Sequence, residues 1–567
     1  MAATRITIAL NAKQSQKAPL LLPASASLDP DAPGSCHSLV VKAALSKLRL
    51  KKVNRIFVAG IGKELLSQAD WKDALKDDIT LLASAGEAYV GSVKEGISHP
   101  HSNPNCPVSM LAKKAPVDEL SVSQLETTAR TLPGLIHAVS QPDLHPGTKF
   151  PIGAIFVSKG WVHPPLIGGD IGCGMAWYKT KLSRNQVEGD KGRKLAEKLR
   201  GLEGPWRTCT DREAWLEDIE GSCSAGGDWD NALGTIGAGN HFAEIQVIES
   251  SSMPKNDEFG LHEDEVVLLV HSGSRGYGGH ILKEYTSESH ISLKEGSARM
   301  QEYMKEHDKA CRWAKANRDL IALRFLSCLE PGEESWRLGH NPPNGEYIED
   351  DDTIREARAK IQERKVVDIW HNNVERIRWP PGPPPPTSSS QDDQTSELSM
   401  NSAQGPGGRD YVYVHRKGAA PTYNPSTNIP LSIVPLPGSR GTPTIILRPI
   451  FSDATSWGFK NALSLAHGAG RSMSRAKALS SLSQKYKNPD VLLQPNSASQ
   501  SQGRSSGEDV QGGTWVICDE KQLVWEEAPE AYKDVYAVCD DLVQEGVAEV
   551  VGWCRARVSY KVRNDLR

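Results

Sequence analysis

The rhythm of apolar and polar positions changes twice along this chain. Residues 4–11 (TRITIALN) and 18–24 (APLLLPA) are apolar runs split by a polar break, which predicts two strands. Over 38–50, Val41, Ala44, Leu45 and Leu48 recur at i, i+3, i+4 and i+7, the spacing of a helix with one buried stripe. Residues 54–59 (NRIFVA) and 79–84 (ITLLAS) predict two more strands. Residues 93–119 are polar and contain four prolines, the pattern of a linker. From 120 onward short apolar strands stop at Gly- and His-rich turns: FPIGAIFV, HFAEIQVI, VVLLVHSGS, YVYVHRKG and TIILRPI. Strands that end in such turns commonly build a site at their ends.

The expected fold class is α+β, with three parts along the chain. Residues 1–92 carry the order strand–strand–helix–strand–strand, which resembles a small β-grasp module of the ubiquitin-like or doublecortin-like kind. Such a module would dock a protein partner. An elaborated N-terminal part of the main domain is the competing reading, because no motif there is specific. Residues 93–119 form the linker and 120–567 the main domain. Three stretches read as insertions: the acidic, Pro/Gly-rich 330–352, the Pro/Ser-rich 380–408 and the Ser/Gln/Gly-rich 488–513. The last two have the composition of disordered surface loops.

Composition narrows the class. A chain of 567 residues exceeds one compact core. Its 38% hydrophobic and 24% charged residues fit a soluble globular protein. A net charge of −4 gives no overall attraction to nucleic acid, so any such binding must rest on a local basic surface. Ten irregularly spaced cysteines without a CxxC pair point away from a disulfide framework or zinc knuckle and toward a reduced, intracellular setting, cytoplasmic or nuclear. No run of about 18 apolar residues occurs, so no membrane span is expected. Residues 1–28 hold Arg5, Lys13 and Lys17 and no acid, a faint mitochondrial transit-peptide pattern that competes with the strand reading.

Four segments carry five candidate metal ligands: Asp170 and Cys173 in GGDIGCGM, His241 in GAGNHFAEI, His271 in LVHSGSRG and His371 in DIWHNN. Asp-x-x-Cys puts a carboxylate and a thiolate on one tight turn, which the flanking glycines allow. A thiolate can bridge two cations, and the mixed oxygen, nitrogen and sulfur set suits Mn, Zn or Fe without choosing among them. Taken singly, each has a plainer explanation. A lone cysteine in such a turn is a small buried hydrophobe, and a lone histidine at a turn is a hydrogen-bonded structural residue.

LSLAHGAGRSMSRAKA places His467 between an apolar run and a Gly-rich turn. The sequence predicts a helix starting here, with an anion-favouring N-terminus and with Arg471 and Arg475 on one face. An imidazole at the mouth of a phosphate site can form a phosphoramidate, dividing one hard transfer into two easier ones. A capped helix start with solvent-facing arginines is the plainer alternative. VHRKGAA adds Arg416 and Lys417 after a strand, LPGSRGTPT adds Gly438, Ser439 and Arg440 in a turn with spare N–H donors, and HSGSRG adds Arg275 near His271.

Nine segments in order, QPDLHPG, FPIGA, GGDIGCGM, GTIGAGNHFAEIQ, HSGSRG, HNN, HRKGA, PGSRGT and HGAGRSMSR, resemble the RtcB family of RNA ligases over residues 125–567. The resemblance implies the family's mixed α/β catalytic fold. It implies a two-manganese site formed by Asp170, Cys173, His241, His271 and His371, with Cys173 as the bridge, and His467 as the residue that becomes guanylylated. It implies GTP contacts from Asn240, His241, Phe242, Ala243, Glu244, His371, Asn372, Pro437, Gly438, Ser439, Arg440, Thr444, the 467–470 stretch (His467, Gly468, Ala469, Gly470) and Lys561. RNA phosphates would be met by Arg275, Arg416, Lys417 and Arg475. The implied activity joins RNA 3′-phosphate or 2′,3′-cyclic phosphate ends to 5′-hydroxyl ends, as in tRNA splicing or RNA repair, on tRNA halves or broken RNA.

The sequence departs from the family in places. Arg440 and Pro443 stand where an apolar and a small residue are common, Gly172 precedes the cysteine where asparagine is common, and six residues follow Lys561. These mark a divergent branch and bear on substrate choice. A metal-dependent phosphatase or cyclic phosphodiesterase on RNA ends, and a non-catalytic RNA-binding protein, are the competing functions. Neither needs both a GTP-reactive histidine and five ligands.

Overall fold

The computed structural model of this chain describes residues 4–562 apart from 12, 13, 15, 60, 61, 76–78, 88, 90–104, 255–259, 287–290, 343–349, 383–409, 425–428 and 496–512. It divides into two compact units, Met1–Ser102 and Asn103–Arg567.

In the first unit, Thr4–Leu10, Lys17–Leu22, Thr80–Ser84 and Arg55–Val58 form one sheet. Thr4–Leu10 lies in the interior, antiparallel to Lys17–Leu22 and parallel to Thr80–Ser84. The helix runs Cys36–Lys47, and the Ser35 hydroxyl caps it by accepting from the Ser38 N–H. Its buried face is Cys36, Val40, Ala43, Ala44 and Leu48, whereas Leu45 is 39% exposed. The predicted stripe was therefore rotated. Both residue sets satisfy helical spacing, and the small Ala43 and Ala44 let the helix approach the sheet. A second helix, Gln68–Ala74, is too short to show periodicity; its signal is the Ser67–Asp70 capping box.

The second unit holds two larger sheets. One orders Asn372–Trp379, Asp410–Lys417, Ile152–Ser158, Leu135–His145 and Val108–Met110. The other runs Lys365–Trp370, Gly174–Ser183, Glu265–Ser272, Phe242–Ser251, Ala548–Tyr560, Thr444–Pro449 and Val434–Pro437, with Trp515–Ile517 added beside Ala548–Tyr560. Mixed helix and sheet give the α+β class expected. Helix Ala298–Leu329 packs against Gly174–Ser183 and Glu265–Ser272, and no described helix is long and apolar enough to cross a membrane.

Parts of the expected linker and insertions are built into this unit. Val108–Met110 is an edge strand, and the amides of Lys113, Lys114 and Ala115 donate to the Asp541 carboxylate at 2.8, 2.8 and 2.9 Å. Within 330–352, Trp336 and Leu338 are buried, and the Trp206 indole donates to the Leu338 carbonyl at 2.7 Å. Leu492 is buried in the helical turn Pro489–Leu492. Local polarity hid these anchors. Residues 383–408 and 496–512 of the other expected loops lie outside the described residues.

Candidate active site

Strand register gathers the five candidate ligands. Gly174 pairs with Ser272 on one side and Trp370 on the other. Cys173, His271 and His371 thus stand at one end of three neighbouring strands. Phe242 pairs with His271, which brings His241 to the same end. The backbone of the Asp170–Cys173 turn is tied directly to the His371 segment: Gly172 N–H donates to Asn372 O at 2.9 Å and His371 N–H to Cys173 O at 2.8 Å. Gly172 is held at φ +72, and a Cβ there would lie 2.8 Å from the Cys311 Cα, so only glycine fits. Gly273 leaves the room that Asp170 fills, since a Cβ would stand 2.2 Å from the Asp170 Oδ1.

The ligand atoms form two overlapping triads, Asp170–Cys173–His241 and Cys173–His271–His371, each with its atoms within 4.8 Å of one another. Cys173 Sγ is 3.3 Å from His241 Nε2 and 3.4 Å from His271 Nε2. His271 and His371 present Nε2 atoms 3.3 Å apart, and His241 Nε2 is 2.7 Å from Asp170 Oδ2. Burial, reinforced by the neighbouring histidines, pushes His271 and His371 well below the usual imidazole range, so both offer neutral lone pairs. Burial and the Asp170 carboxylate push the Cys173 thiol well up. Ionising it requires a cation at this spot, and the buried Asp170 Oδ1 has no hydrogen-bond partner. The donor set therefore fits divalent metal, and Cys173 belongs to both ligand groups.

A layer behind the ligands escaped sequence reading. Arg318, fully buried in the long helix, donates from Nη1 to Gly172 O at 2.9 Å and Ser272 O at 3.0 Å, bracing both ligand turns. Asn317 Nδ2 donates to Ser272 Oγ at 3.1 Å. The amide of Asn372 is spent as a strut, donating to Asp170 O at 3.2 Å and accepting from Gly418 N–H at 2.9 Å.

His467 lies beside this cluster, its ring centroid 4.6 Å from that of His371. Its Nδ1 is 2.8 Å from Asp143 Oδ2, and Asp143 is fully buried on the strand Leu135–His145. This contact orients the ring and, in the neutral imidazole, favours the tautomer with the proton on Nδ1, whose lone pair lies on Nε2. Lys533 Nζ donates to Pro142 O at 3.0 Å and Leu144 O at 2.6 Å, holding the strand on either side of Asp143.

The predicted helix at His467 begins later, at Arg475, capped by Ser474. Arg471 precedes it, so the two arginines do not share a helical face. They converge instead on the buried Glu527: Arg471 Nη1 at 3.1 Å and Arg475 Nε at 3.6 Å, with Lys561 Nζ at 3.4 Å. Glu527 was not predicted, although it gathers three cations.

A cleft of about 970 Å³ opens on His467. Of the expected nucleotide contacts, Asn240, Phe242, Glu244, Pro437, Gly438, Ser439, Arg440, His467–Gly470 and Lys561 line it. His241 and His371 belong to the metal cluster, Asn372 braces Asp170, and Ala243 joins the core on the other face of its strand, so none of these four lines it. Thr444 stands one step back, accepting from Gln246 Nε2 at 2.9 Å while Gln246 donates to Glu244 at 2.9 Å. Burial pushes Glu244 up to about 7.

Among the four expected RNA contacts, Arg416 is corrected. It is fully buried, ion-paired with Glu375, and donates to Ser464 Oγ at 2.8 Å. On a strand, neighbouring side chains point oppositely, and 416 faces the core. Lys417 is half-buried, and burial lowers it to about 8. Arg275 donates to Thr235 Oγ1 at 3.2 Å, and Arg475 keeps half its side chain in solvent.

Comparison with known proteins agrees with this geometry. A family model described as tRNA-splicing ligase RtcB matches residues 124–205, 208–337 and 398–562. The matched ranges leave out the first unit and also His371, whose place in the cluster rests on the strand register. The RNA-splicing ligase RtcB2 of Escherichia coli is 33% identical over 447 residues, 78% of this chain and 93% of its own length. The tRNA-splicing ligase RtcB of Aeropyrum pernix is 25% identical over 473 residues, 74% of this chain and 86% of its own length. The RNA-splicing ligase RtcB homolog 1 of Entamoeba dispar is 26% identical over 491 residues, 75% of this chain and 78% of its own length.

Proposed function

We propose, from the premise that this chain belongs to the RtcB family, that it is an RNA ligase joining 3′-phosphate or 2′,3′-cyclic phosphate ends to 5′-hydroxyl ends with GTP, manganese and a guanylylated His467. The observation that carries the reading is the buried histidine braced by Asp143, one ring from a five-ligand cluster with a shared thiol.

The chain's own residues account for the chemistry. His467 Nε2 attacks the α-phosphorus of GTP; an N–P bond forms and pyrophosphate leaves. Asp143 holds the Nδ1 proton and stabilises the positive charge that grows on the ring. The P–N bond then breaks as GMP passes to the RNA 3′-phosphate, restoring the imidazole. The 5′-hydroxyl oxygen of the second end attacks that phosphorus, loses its proton and expels GMP. A cyclic end is first opened by water to the 3′-phosphate. Two manganese ions held by Asp170, Cys173, His241, His271 and His371 would neutralise phosphate charge and raise the electrophilicity of phosphorus. Arg471, Arg475 and Lys561, held by Glu527, would give fixed cationic donors to the charge that develops. Lys417, Arg275 and the exposed part of Arg475 would meet single-stranded RNA backbone.

The first unit is a β-grasp docking module in this reading, supported by its mixed sheet with the parallel pair inside and the helix Cys36–Lys47 packed on it. An intracellular setting is supported by ten free cysteines.

The test is an RNA with a 3′-phosphate mixed with one bearing a 5′-hydroxyl. Joining that requires both GTP and Mn²⁺ supports the proposal. Loss of the 3′-phosphate without joining, and without need of GTP, would favour the phosphatase reading. A further expected result concerns Asp143→Asn. The amide can donate to Nδ1 and so shift the ring proton onto Nε2, removing the attacking lone pair. Guanylylation should slow about 10²- to 10⁴-fold while GTP affinity stays within about twofold; labelling kinetics with equilibrium binding check it, and an unaltered rate would show that Asp143 only packs.

A further inference from the structure

One end of the first unit carries a rim of cations. Residues 1–92 hold 12 lysines and arginines against 8 aspartates and glutamates, a net charge of +4 within a chain of −4. Between Asp31 and Glu64 there are seven lysines and arginines and no acid. Strand register gathers them. Leu10, Lys17, Arg55 and Ser84 stand at the same end of the sheet, because Ala9 pairs with Lys17, Leu10 with Ala83 and Arg55 with Ser84. The helix Cys36–Lys47 finishes there too: Lys47 Nζ donates to Pro19 O at 2.7 Å and Gln16 Nε2 to Leu48 O at 3.1 Å. Lys17, Lys47, Arg49, Lys51 and Lys52 are all exposed, and so is Lys42, little more than a turn back along the helix.

The protein leaves these charges unspent. Among the described residues, Lys17, Lys42, Arg49, Lys51 and Lys52 have no carboxylate partner. The carboxylates that reach this end are engaged: Glu64 with Arg55 at 2.7 Å, and Glu87 in hydrogen bonds of its own turn. The helix dipole accounts for Lys47, which lies in the last turn, but it fades within that turn and leaves Arg49, Lys51 and Lys52 unexplained. Arg49 adds an independent sign. It sits at φ +58 just past the helix, where the Leu48 and Leu50 amides both donate to Ala44 O, at 3.1 and 3.4 Å. Glycine is the residue that such a place favours. A long cationic side chain kept there against backbone preference points to a use for it. Exposed, unpaired cations along one rim of a chain whose net charge is negative are the electrostatic footprint of a polyanion. The polyanion that an RNA ligase handles is RNA.

We propose that this rim holds the phosphate backbone of RNA, so that the first unit docks nucleic acid and not a protein. The inference rests on the ligase reading only for the identity of the polyanion. Such contacts meet phosphates, so they carry no sequence preference and weaken steeply with salt. The test compares the full chain with a combined Lys42→Gln, Arg49→Gln, Lys51→Gln and Lys52→Gln variant and with Arg49→Gly. Equilibrium binding of a single-stranded RNA is measured over a range of salt without GTP or Mn²⁺, beside phosphatidylserine vesicles and polyglutamate, with melting temperature and guanylylation followed in parallel. The combined variant is expected to bind RNA about tenfold or more weakly at ~0.1 M salt, with the slope of log affinity against log salt shallower by about 2 to 3. Its melting temperature and guanylylation should match those of the parent. Arg49→Gly guards against simple loss of fold: it eases the backbone, so it should weaken RNA binding about twofold or more while melting no lower. RNA affinity unchanged in both variants would overturn the inference, whether the loss falls instead on the vesicles, on polyglutamate or on neither. RNA binding that depends on the rim without any joining would keep this inference and remove the ligase reading; joining with binding indifferent to the rim would do the reverse.

Discussion

Cys173→Ala is expected to strip the cluster of metal and abolish guanylylation while the protein stays folded. The thiol belongs to both ligand triads, so one substitution removes a donor from each. Loss of an outer partner of a metal ligand costs about 10- to 100-fold in affinity, and loss of a shared inner ligand should exceed that. The fold has little reason to suffer. Cys173 is a small buried side chain, and its turn is held by backbone contacts to Asn372 and His371 and by Arg318. Removing the sulfur also relieves a thiol that cannot ionise without a cation nearby. Bound manganese measured by metal analysis, with melting and GTP labelling on the same sample, decides the matter. Labelling at the wild-type rate would show that the thiol bridges nothing.

His467→Ala is expected to lose the label altogether, by about 10⁴-fold or more, with manganese content unchanged. The ring is not in either ligand triad, and it lies beside that of His371. If His467 serves the first transfer alone, this variant should still seal an RNA whose 3′-phosphate already carries GMP. The separation matters because the two substitutions divide the site: Cys173→Ala removes the metal-dependent chemistry at every stage, and His467→Ala removes only the stage that uses the imidazole. Equal loss on the pre-activated RNA would mean that His467 acts in joining as well.

Much of this site was legible because its ligands sit where apolar strands end in Gly-rich turns. Such turns are short, so Asp170 and Cys173 could be placed together from spacing, and each histidine adjoined a strand. What the strands could not reveal was which distant residues support them. Asp143 lies 324 residues before His467, in the QPDLHPG segment, and nothing local marks it as that histidine's partner. Arg318 and Asn317 lie in a stretch that carries no motif, yet both face the ligand turns. Arg416 was misplaced because a strand pattern fixes alternation without saying which face meets the cleft. The helix after His467 was begun too early because Gly-Arg resembles a start, whereas the hydroxyl that caps it belongs to Ser474. In the first unit the same periodicity admitted two stripes, and only the packing of Ala43 and Ala44 chose between them.

The most direct measurement is to incubate the full chain with GTP and Mn²⁺, digest it, and map the added GMP by mass spectrometry. The expected result is a single acid-labile adduct on the peptide containing His467, absent when manganese is withheld and formed far more slowly when Asp143 is replaced by asparagine. GMP on a lysine, or RNA joining with no protein adduct at all, would contradict the mechanism proposed for this chain.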